Sequence, residues 1–169
     1  MARRVPSTLG RLLLGGAIAG AVLAGPVPVV TAADLPCTVQ GTPGDDIWEV
    51  AGFDFGVPEI AGDAVVCGLG GNDTIYNNEV FPFSGTFYGG KGDDVVGLLT
   101  GTFEGGPGTD GVVVLAGGSF SGGKDPDVVQ VACSGTFNGG PGADLAGIST
   151  GATPTLKSVE TVIDVGSFC

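Results

Sequence analysis

Aspartates that could bind a metal ion recur in this chain, each copy introduced by a run of glycines. The clearest copy is Gly89-Gly90-Lys91-Gly92-Asp93-Asp94, and its pattern returns after steps of 16, 17 and 17 residues. Those copies begin at Gly105, Gly122 and Gly139, and two looser ones begin at Gly41 and Gly68. Six copies of one loop in 169 residues identify a repeat protein.

The residue types in the loop suit one kind of ion. Glycines allow the tight backbone that turns carbonyl oxygens inward, and the aspartate adds an anionic oxygen beside them. Carboxylate and carbonyl oxygens in a flexible ring are the ligands that Ca²⁺ prefers, whereas Mg²⁺ requires a stricter octahedron and keeps its waters. The loops therefore predict calcium sites.

Over residues 41–148 the motif resembles that of the repeats-in-toxin (RTX, haemolysin-type) family, whose nonapeptide G-G-x-G-x-D-x-U-x binds Ca²⁺ in a β-helix. The resemblance implies a bacterial, extracellular protein with Ca²⁺ as its cofactor. The predicted ligands are the loop carboxylates, one asparagine and the glycines that shape the loops. They are Asp45, Asp46, Asn72, Asp73, Asp93, Asp94, Asp110, Asp125, Asp127, Asp144, Gly90, Gly92, Gly106, Gly108, Gly123, Gly140 and Gly142.

The chain also departs from the family pattern. RTX units alternate nine plus nine residues with a loop at both edges, whereas this chain has a 16–17-residue turn with one glycine-aspartate loop. Calcium is therefore expected along one edge only, and six loops allow at most five sites between turns. The loops are unequal, since Thr109 and Ala143 replace the first oxygen donor and Asp125-Pro126 replaces a glycine.

The fold expected is all-β: a right-handed parallel β-roll or β-solenoid of about six short turns with disulfide-stapled ends. A phenylalanine two residues before each regular Gly-Gly pair predicts an internal stack of Phe87, Phe103, Phe120 and Phe137. Strand alternation predicts inward pairs on the opposite wall. These pairs are Val96 and Leu98, Val112 and Val114, Val129 and Val131, and Ala146 and Ile148.

The remaining segments are assigned around this array of residues 84–149. Residues 34–83 form an N-terminal capping region with two irregular repeats, an insertion at 51–66 and an excursion at 77–83. Its bulky side chains (Trp48, Phe53, Phe55 and Ile60) are expected to cover the open end of the solenoid. Residues 150–169 carry a closing strand.

Residues 1–33 read as a signal peptide. Arg3, Arg4 and Arg11 precede an apolar run that ends at Thr31-Ala32-Ala33, a small-residue cleavage site. A membrane anchor is the alternative, although the glycines and two prolines of the run argue against it. We therefore expect secretion without membrane insertion. Beyond the signal, three lysines face 18 acidic residues, a formal charge of −15 that repels nucleic acid.

Four cysteines in an exported chain predict two disulfides. Three pairings are possible, and free thiols are a further alternative. Cys37–Cys67 with Cys133–Cys169 is favoured because each bond would staple one end of the array, where stacking support is missing.

The function expected is an exported Ca²⁺-binding module with a structural or interaction role, not an enzyme. The chain has no histidine, which excludes histidine-dependent catalytic triads and metal sites. The alternative is an ice- or crystal-surface binder, because Ser84/Thr86, Thr100/Thr102 and Ser134/Thr136 could form outward rows of hydroxyls. A polysaccharide-acting solenoid enzyme is a third, weaker hypothesis. A protein or cell-surface partner is not indicated.

Overall fold

The computed structural model describes residues 36–52 and 56–169, and over these residues the chain forms strands and turns without a helix. The strands are β1 (Val39–Gln40), β2 (Ile47–Val50), β3 (Glu59–Ile60), β4 (Val65–Cys67), β5 (Thr74–Tyr76), β6 (Thr86–Tyr88), β7 (Val95–Leu99), β8 (Thr102–Gly106), β9 (Gly111–Gly123), β10 (Val128–Asn138), β11 (Leu145–Ile148), β12 (Thr155–Lys157) and β13 (Thr161–Asp164). Every pairing between them is parallel, as the repeat spacing predicts.

The strands stack into a β-solenoid of about six turns with two walls. The valine wall runs β2, β5, β7, the first half of β9, the first half of β10, β11 and β13. The phenylalanine wall runs β1, β4, β6, β8, the second halves of β9 and β10, and β12. Each glycine-aspartate loop leads from the phenylalanine wall into the next valine-wall strand, which confirms the predicted fold class.

The predicted phenylalanine stack is present along the inside of the phenylalanine wall. Ring centroids of successive phenylalanines lie 4.9, 4.8 and 5.0 Å apart, with interplanar angles of 15°, 10° and 5°. All four rings are fully buried. The strand register extends the row with Val66 and Val39 at one end and Leu156 at the other. One residue type at a fixed step therefore fills the inside of the phenylalanine wall over four turns.

The predicted inward pairs of the valine wall are half right. Val96, Val112, Val129 and Ala146 are buried, but their predicted partners Leu98, Val114, Val131 and Ile148 are only partly so. The next residue along is buried instead: Leu99, Leu115, Ala132 and Ser149. The physical reason is that the strands bend at the corner, where the register of β10 shifts between Val129 and Ala132, so strict alternation ends there.

Phe83 ends the predicted excursion of residues 77–83, and the sequence analysis did not assign it to the interior. It is fully buried and forms an isolated parallel bridge with Leu99, so it begins the corner row that Leu99 and Leu115 continue. Asn77, from the same segment, binds the backbone of Leu98 through both side-chain atoms. Residues 77–83 are therefore part of a turn of the solenoid.

The two ends of the solenoid differ in how well they are covered. At the N-terminal end β3 pairs with β2, and Trp48 and Ile60 are buried, as a cap requires. The other predicted capping residues, Phe53 and Phe55, lie outside the described residues, as does the predicted signal peptide. At the C-terminal end β13 covers the edge of β11, but all four of its own residues are exposed.

Both predicted disulfides are present, one at each end. Cys37–Cys67 has a Cα–Cα distance of 5.9 Å and Cys133–Cys169 one of 5.7 Å, within the range of ordinary disulfides. Two disulfides without a free cysteine indicate an oxidising compartment. No helix in the described part of the chain has the length and apolar character needed to cross a membrane.

The phenylalanine stack leads to a stability prediction. Phe103→Ala removes a fully buried ring from the middle of the stack and should lower the free energy of unfolding by about 3–5 kcal/mol. Phe168→Ala is the matched control, because that ring is 69% exposed. Urea unfolding of both variants measures the difference, and equal losses would contradict a stack that holds the fold together.

Candidate functional site

The fold brings the aspartate that ends each loop into one row along an edge of the solenoid. These inner aspartates each stand directly before a valine-wall strand. They are Asp46, Asp73, Asp94, Asp110, Asp127 and Asp144. The last five are at most 1% exposed. Carboxylates are rarely buried without a counter-charge, so this row is the candidate site.

One carboxylate oxygen of each inner aspartate joins neighbouring turns. The Oδ1 atom of Asp94 accepts the backbone N–H of Asp73, one turn earlier, at 2.8 Å. The same bond links every successive pair, at 2.8–2.9 Å, from Asp46 onward to Asp144. The backbone at this edge is thus held by side chains as well as by the strand ladders.

The sequence analysis missed the residue that completes the row. Glu160 accepts the N–H of Asp144 through Oε2 at 2.8 Å. It stands directly before β13, which is the position that the aspartates occupy before their own strands, and it comes 16 residues after Asp144. That spacing was the available signal, although no glycine pair accompanies it.

The second carboxylate oxygen has no hydrogen-bond partner. The Oδ2 atoms of Asp73, Asp94, Asp110, Asp127 and Asp144 are all buried and unpaired. Each sits under the first glycine of its own loop, and a Cβ on that glycine would overlap it; the glycines are Gly68, Gly89, Gly105, Gly122 and Gly139. The first glycine is therefore required to make room for a carboxylate oxygen.

A backbone carbonyl from the following turn faces the same space. A Cβ on Gly68 would overlap both Asp73 Oδ2 and the carbonyl oxygen of Gly89. The same pair of acceptors lies beside Gly105, as Asp110 Oδ2 and the Gly122 carbonyl oxygen, and beside Gly139, as Asp144 Oδ2 and the Ser158 carbonyl oxygen. Two acceptors that share a space repel each other unless a proton or a cation lies between them.

The residues just before the inner aspartates, which supply the first possible metal-binding oxygen of each loop, form a separate, exposed row, here called the first-donor row. Asp45 Oδ1 accepts the N–H of Asn72 at 2.7 Å, Asn72 Oδ1 accepts that of Asp93 at 2.9 Å, and Asp93 Oδ1 accepts that of Thr109 at 2.8 Å. The row stops at Thr109, as its side chain predicts. Asp125 is exposed, so the structure does not bring it into the buried row.

The predicted glycines shape the loops. Positive φ angles are found at Gly90, Gly92, Gly106, Gly108, Gly123 and Gly140, whereas Gly142 is not among them. Asp125 takes up the left-handed conformation in its own loop, with φ of 59°, where a glycine would be the ordinary choice. Although Asp125 replaces a glycine of the motif, its loop therefore keeps the left-handed backbone conformation at this position.

Burial raises the pKa of the five buried inner aspartates, Asp73 to Asp144. Loss of solvation is the main cause, the backbone hydrogen bond from the previous turn acts against it, and neighbouring carboxylates add to it. The pKa of Asp73 is raised to about 6, and those of Asp94, Asp110 and Asp127 to about 7. The pKa of Asp144 is also raised, chiefly by burial. Without a bound ion, Asp94, Asp110 and Asp127 are therefore partly protonated near neutral pH.

Side chains alone do not form a metal cage here. Within residues 36–52 and 56–169, no three or more Asp, Glu, Cys or His side chains are grouped so that they could hold a metal. Any cation at this edge would depend on backbone carbonyls together with one carboxylate from a turn. Comparisons with protein-family models, curated proteins and solved structures found no match to the chain.

The raised pKa values predict how stability depends on pH in calcium-free buffer. Between about pH 4 and pH 7 the folded chain keeps protons that the unfolded chain releases. The free energy of unfolding should therefore fall as pH rises through this interval and level off above it. Urea unfolding at several pH values measures this. Asp110→Asn should make the fall shallower, and an unchanged slope would contradict the assignment.

Proposed function

We propose that this chain is an exported calcium-binding β-solenoid, folded by Ca²⁺ between successive glycine-aspartate loops, with a structural or interaction role. The observation that supports it is the row of five buried, unpaired Oδ2 atoms, three of which (those of Asp73, Asp110 and Asp144) share their space with a carbonyl oxygen of the next turn. A buried anionic oxygen without a donor, beside a carbonyl oxygen, matches the ligand preference of Ca²⁺.

The residues that would hold the ions come from adjacent turns. Asp73 would act with the Gly89 carbonyl and Asp110 with the Gly122 carbonyl, while Asp144 would act with the carbonyl of Ser158 beyond the array. A bound cation neutralises the carboxylates and links one turn to the next. Of the five unpaired Oδ2 atoms, four lie between successive loops, and the fifth, that of Asp144, lies between the last loop and the turn after it.

The energetics favour folding that depends on the ion. A ligand that binds only the folded form contributes about 1.4 kcal/mol per site at tenfold saturation. Extracellular calcium modules bind with Kd on the order of 10⁻⁴–10⁻³ M. Several such sites approach the net stability of a small domain, roughly 5–15 kcal/mol. The chain is therefore expected to gain most of its stability where calcium is abundant, after export.

Replacing Asp110 tests the proposal. In Asp110→Asn, Oδ1 keeps its hydrogen bond from Asp94, and an amide donor replaces the unpaired Oδ2 beside the Gly122 carbonyl. The variant should be more stable than the parent without calcium and should lose one site, about 1.4 kcal/mol of calcium-dependent stabilisation at tenfold saturation. Thermal melts with and without chelator, with calcium calorimetry, measure both quantities.

The control for that experiment is Asp45→Asn, because Asp45 is an exposed member of the first-donor row. It should leave the calcium-free stability nearly unchanged, and Asp45→Ala should weaken calcium binding less than Asp110→Ala does. If chelator leaves the circular dichroism and the melting temperature of the parent unchanged, calcium does not fold this chain. Absence of calcium heat at millimolar concentration would have the same meaning.

A second candidate function is binding to ice or another crystal surface. The outward row on the phenylalanine wall is Thr86, Thr102, Ser119, Thr136 and Thr155, all in register. Such a row repeats hydroxyls about every 4.8 Å. The companion residues contribute less to it, since the Ser84 and Thr100 hydroxyls donate to the carbonyls of Gly62 and Phe83.

Thermal hysteresis separates the two functions. An ice binder should depress the freezing point without changing the melting point of ice, and Thr102→Lys in the middle of the row should abolish the effect. A solution of the folded chain that shows no hysteresis rules out ice as the target. The calcium experiments remain informative in either case.

A further inference from the structure

The outer surface of the valine wall, here called the valine face, is apolar. Its first row consists of Ile47, Thr74, Val95, Gly111, Val128, Leu145 and Thr161, in register across seven strands. Four of the eight exposed large hydrophobic side chains of the described residues (Ile47, Tyr76, Val113 and Ile163) project from it. Contiguous exposed apolar surface in a soluble chain marks an interaction site.

The seven strands of the valine face carry no exposed charge in their first two rows. The first row contains no Asp, Glu, Lys or Arg, and Glu49 in the second row is only 2% exposed. The exposed Glu59 continues the second row on β3, at the N-terminal end outside the seven strands. The whole chain has a formal net charge of −12, and the acidic loops lie at an edge of this wall. Two molecules of the same negative charge can approach most closely through a surface without carboxylates.

The centre of the valine face has a projecting apolar side chain and, beside it, a notch lined mostly by apolar residues. Gly111 lies on the fourth of the seven strands and leaves a notch of about 60 Å³, lined by Val95, Val112, Val113, Val128 and Gln130 as well as Gly111 itself. Val113, two residues further along the same strand, projects outward and is 37% exposed. The projection and the notch are thus part of one small area, with three strands on either side.

We infer that the valine face docks a second copy of this chain. A two-fold axis parallel to the solenoid axis, passing over Val112, reverses the strand direction and sets Val113 of each copy opposite Gly111 of its partner. Each valine then fills the other copy's notch, as a self-complementary interface requires. The same axis places the two acidic edges on opposite sides of the dimer, which keeps the like charges apart.

The size of the face sets the strength of the association. Seven strands about 4.8 Å apart and a width of about five residues cover roughly 500 Å² per copy. A standard stable interface buries about 800 Å² per partner. The dimer is therefore reversible and concentration-dependent.

Sedimentation velocity of the full chain, purified with both disulfides formed, tests the inference over about 0.01 to 1 mM. The expected result is a monomer that becomes a dimer as the concentration rises, and Val113→Asp should weaken the dimer at least about tenfold. Val80→Asp is the matched control, because it adds the same charge at a valine that is 74% exposed and lies in the excursion, outside the strands of the valine face.

An exchange of the projection and the notch provides the sharpest test. A Cβ on Gly111 would have only ordinary contacts, with Val128 O at 3.7 Å and Val95 Cγ2 at 4.0 Å, so Gly111→Val should still fold. Gly111→Val and Val113→Gly should each weaken the dimer, and the double variant should restore it. Circular dichroism checks the fold of each. A chain that stays monomeric at 1 mM, or a double variant no better than the single ones, overturns the inference.

Discussion

The array depends on the contact between a buried carboxylate and the glycine above it. The carboxylate accepts a backbone N–H from one turn through Oδ1, and its Oδ2 atom occupies the space that a side chain on the first glycine would need. Asp94 and Gly89 show both features, and the same arrangement recurs along the edge. Glycine and aspartate are therefore needed together. A larger residue in place of the glycine would overlap the carboxylate, and a neutral residue in place of the aspartate would change what lies under the glycine.

The sequence was sufficient for the features that repeat at a fixed step. The step of 16 or 17 residues placed the phenylalanine stack, the parallel walls and the single acidic edge. It was not sufficient where the backbone bends, because alternation predicts Leu98 as an inward residue and the corner turns Leu99 inward instead. The burial of Phe83 was missed for the same reason, since its contact with Leu99 depends on a bend that periodicity does not describe.

The candidate site shows a similar division. The motif identified the aspartates, but it did not distinguish the buried Asp94 from the exposed Asp93, which differ only in which side of the backbone they occupy. Glu160 was missed because the longer side chain reaches the same N–H without a glycine pair. Side-chain reach and burial are properties of the folded chain, so they follow from three-dimensional placement and not from the order of residues.

The direction of the inner hydrogen bonds bears on how the chain can assemble. Each aspartate carboxylate accepts from the turn that precedes it in the chain, as Asp110 does from Asp94 and Asp127 from Asp110. A new turn therefore completes a hydrogen bond of the turn before it, while the N–H of its own inner aspartate has no acceptor until the next turn is added. Because chains emerge from their N-terminal end, the solenoid can lengthen turn by turn on a template that its own earlier segments supply. The Cys37–Cys67 bond lies where that growth begins, and Cys133–Cys169 lies where it stops.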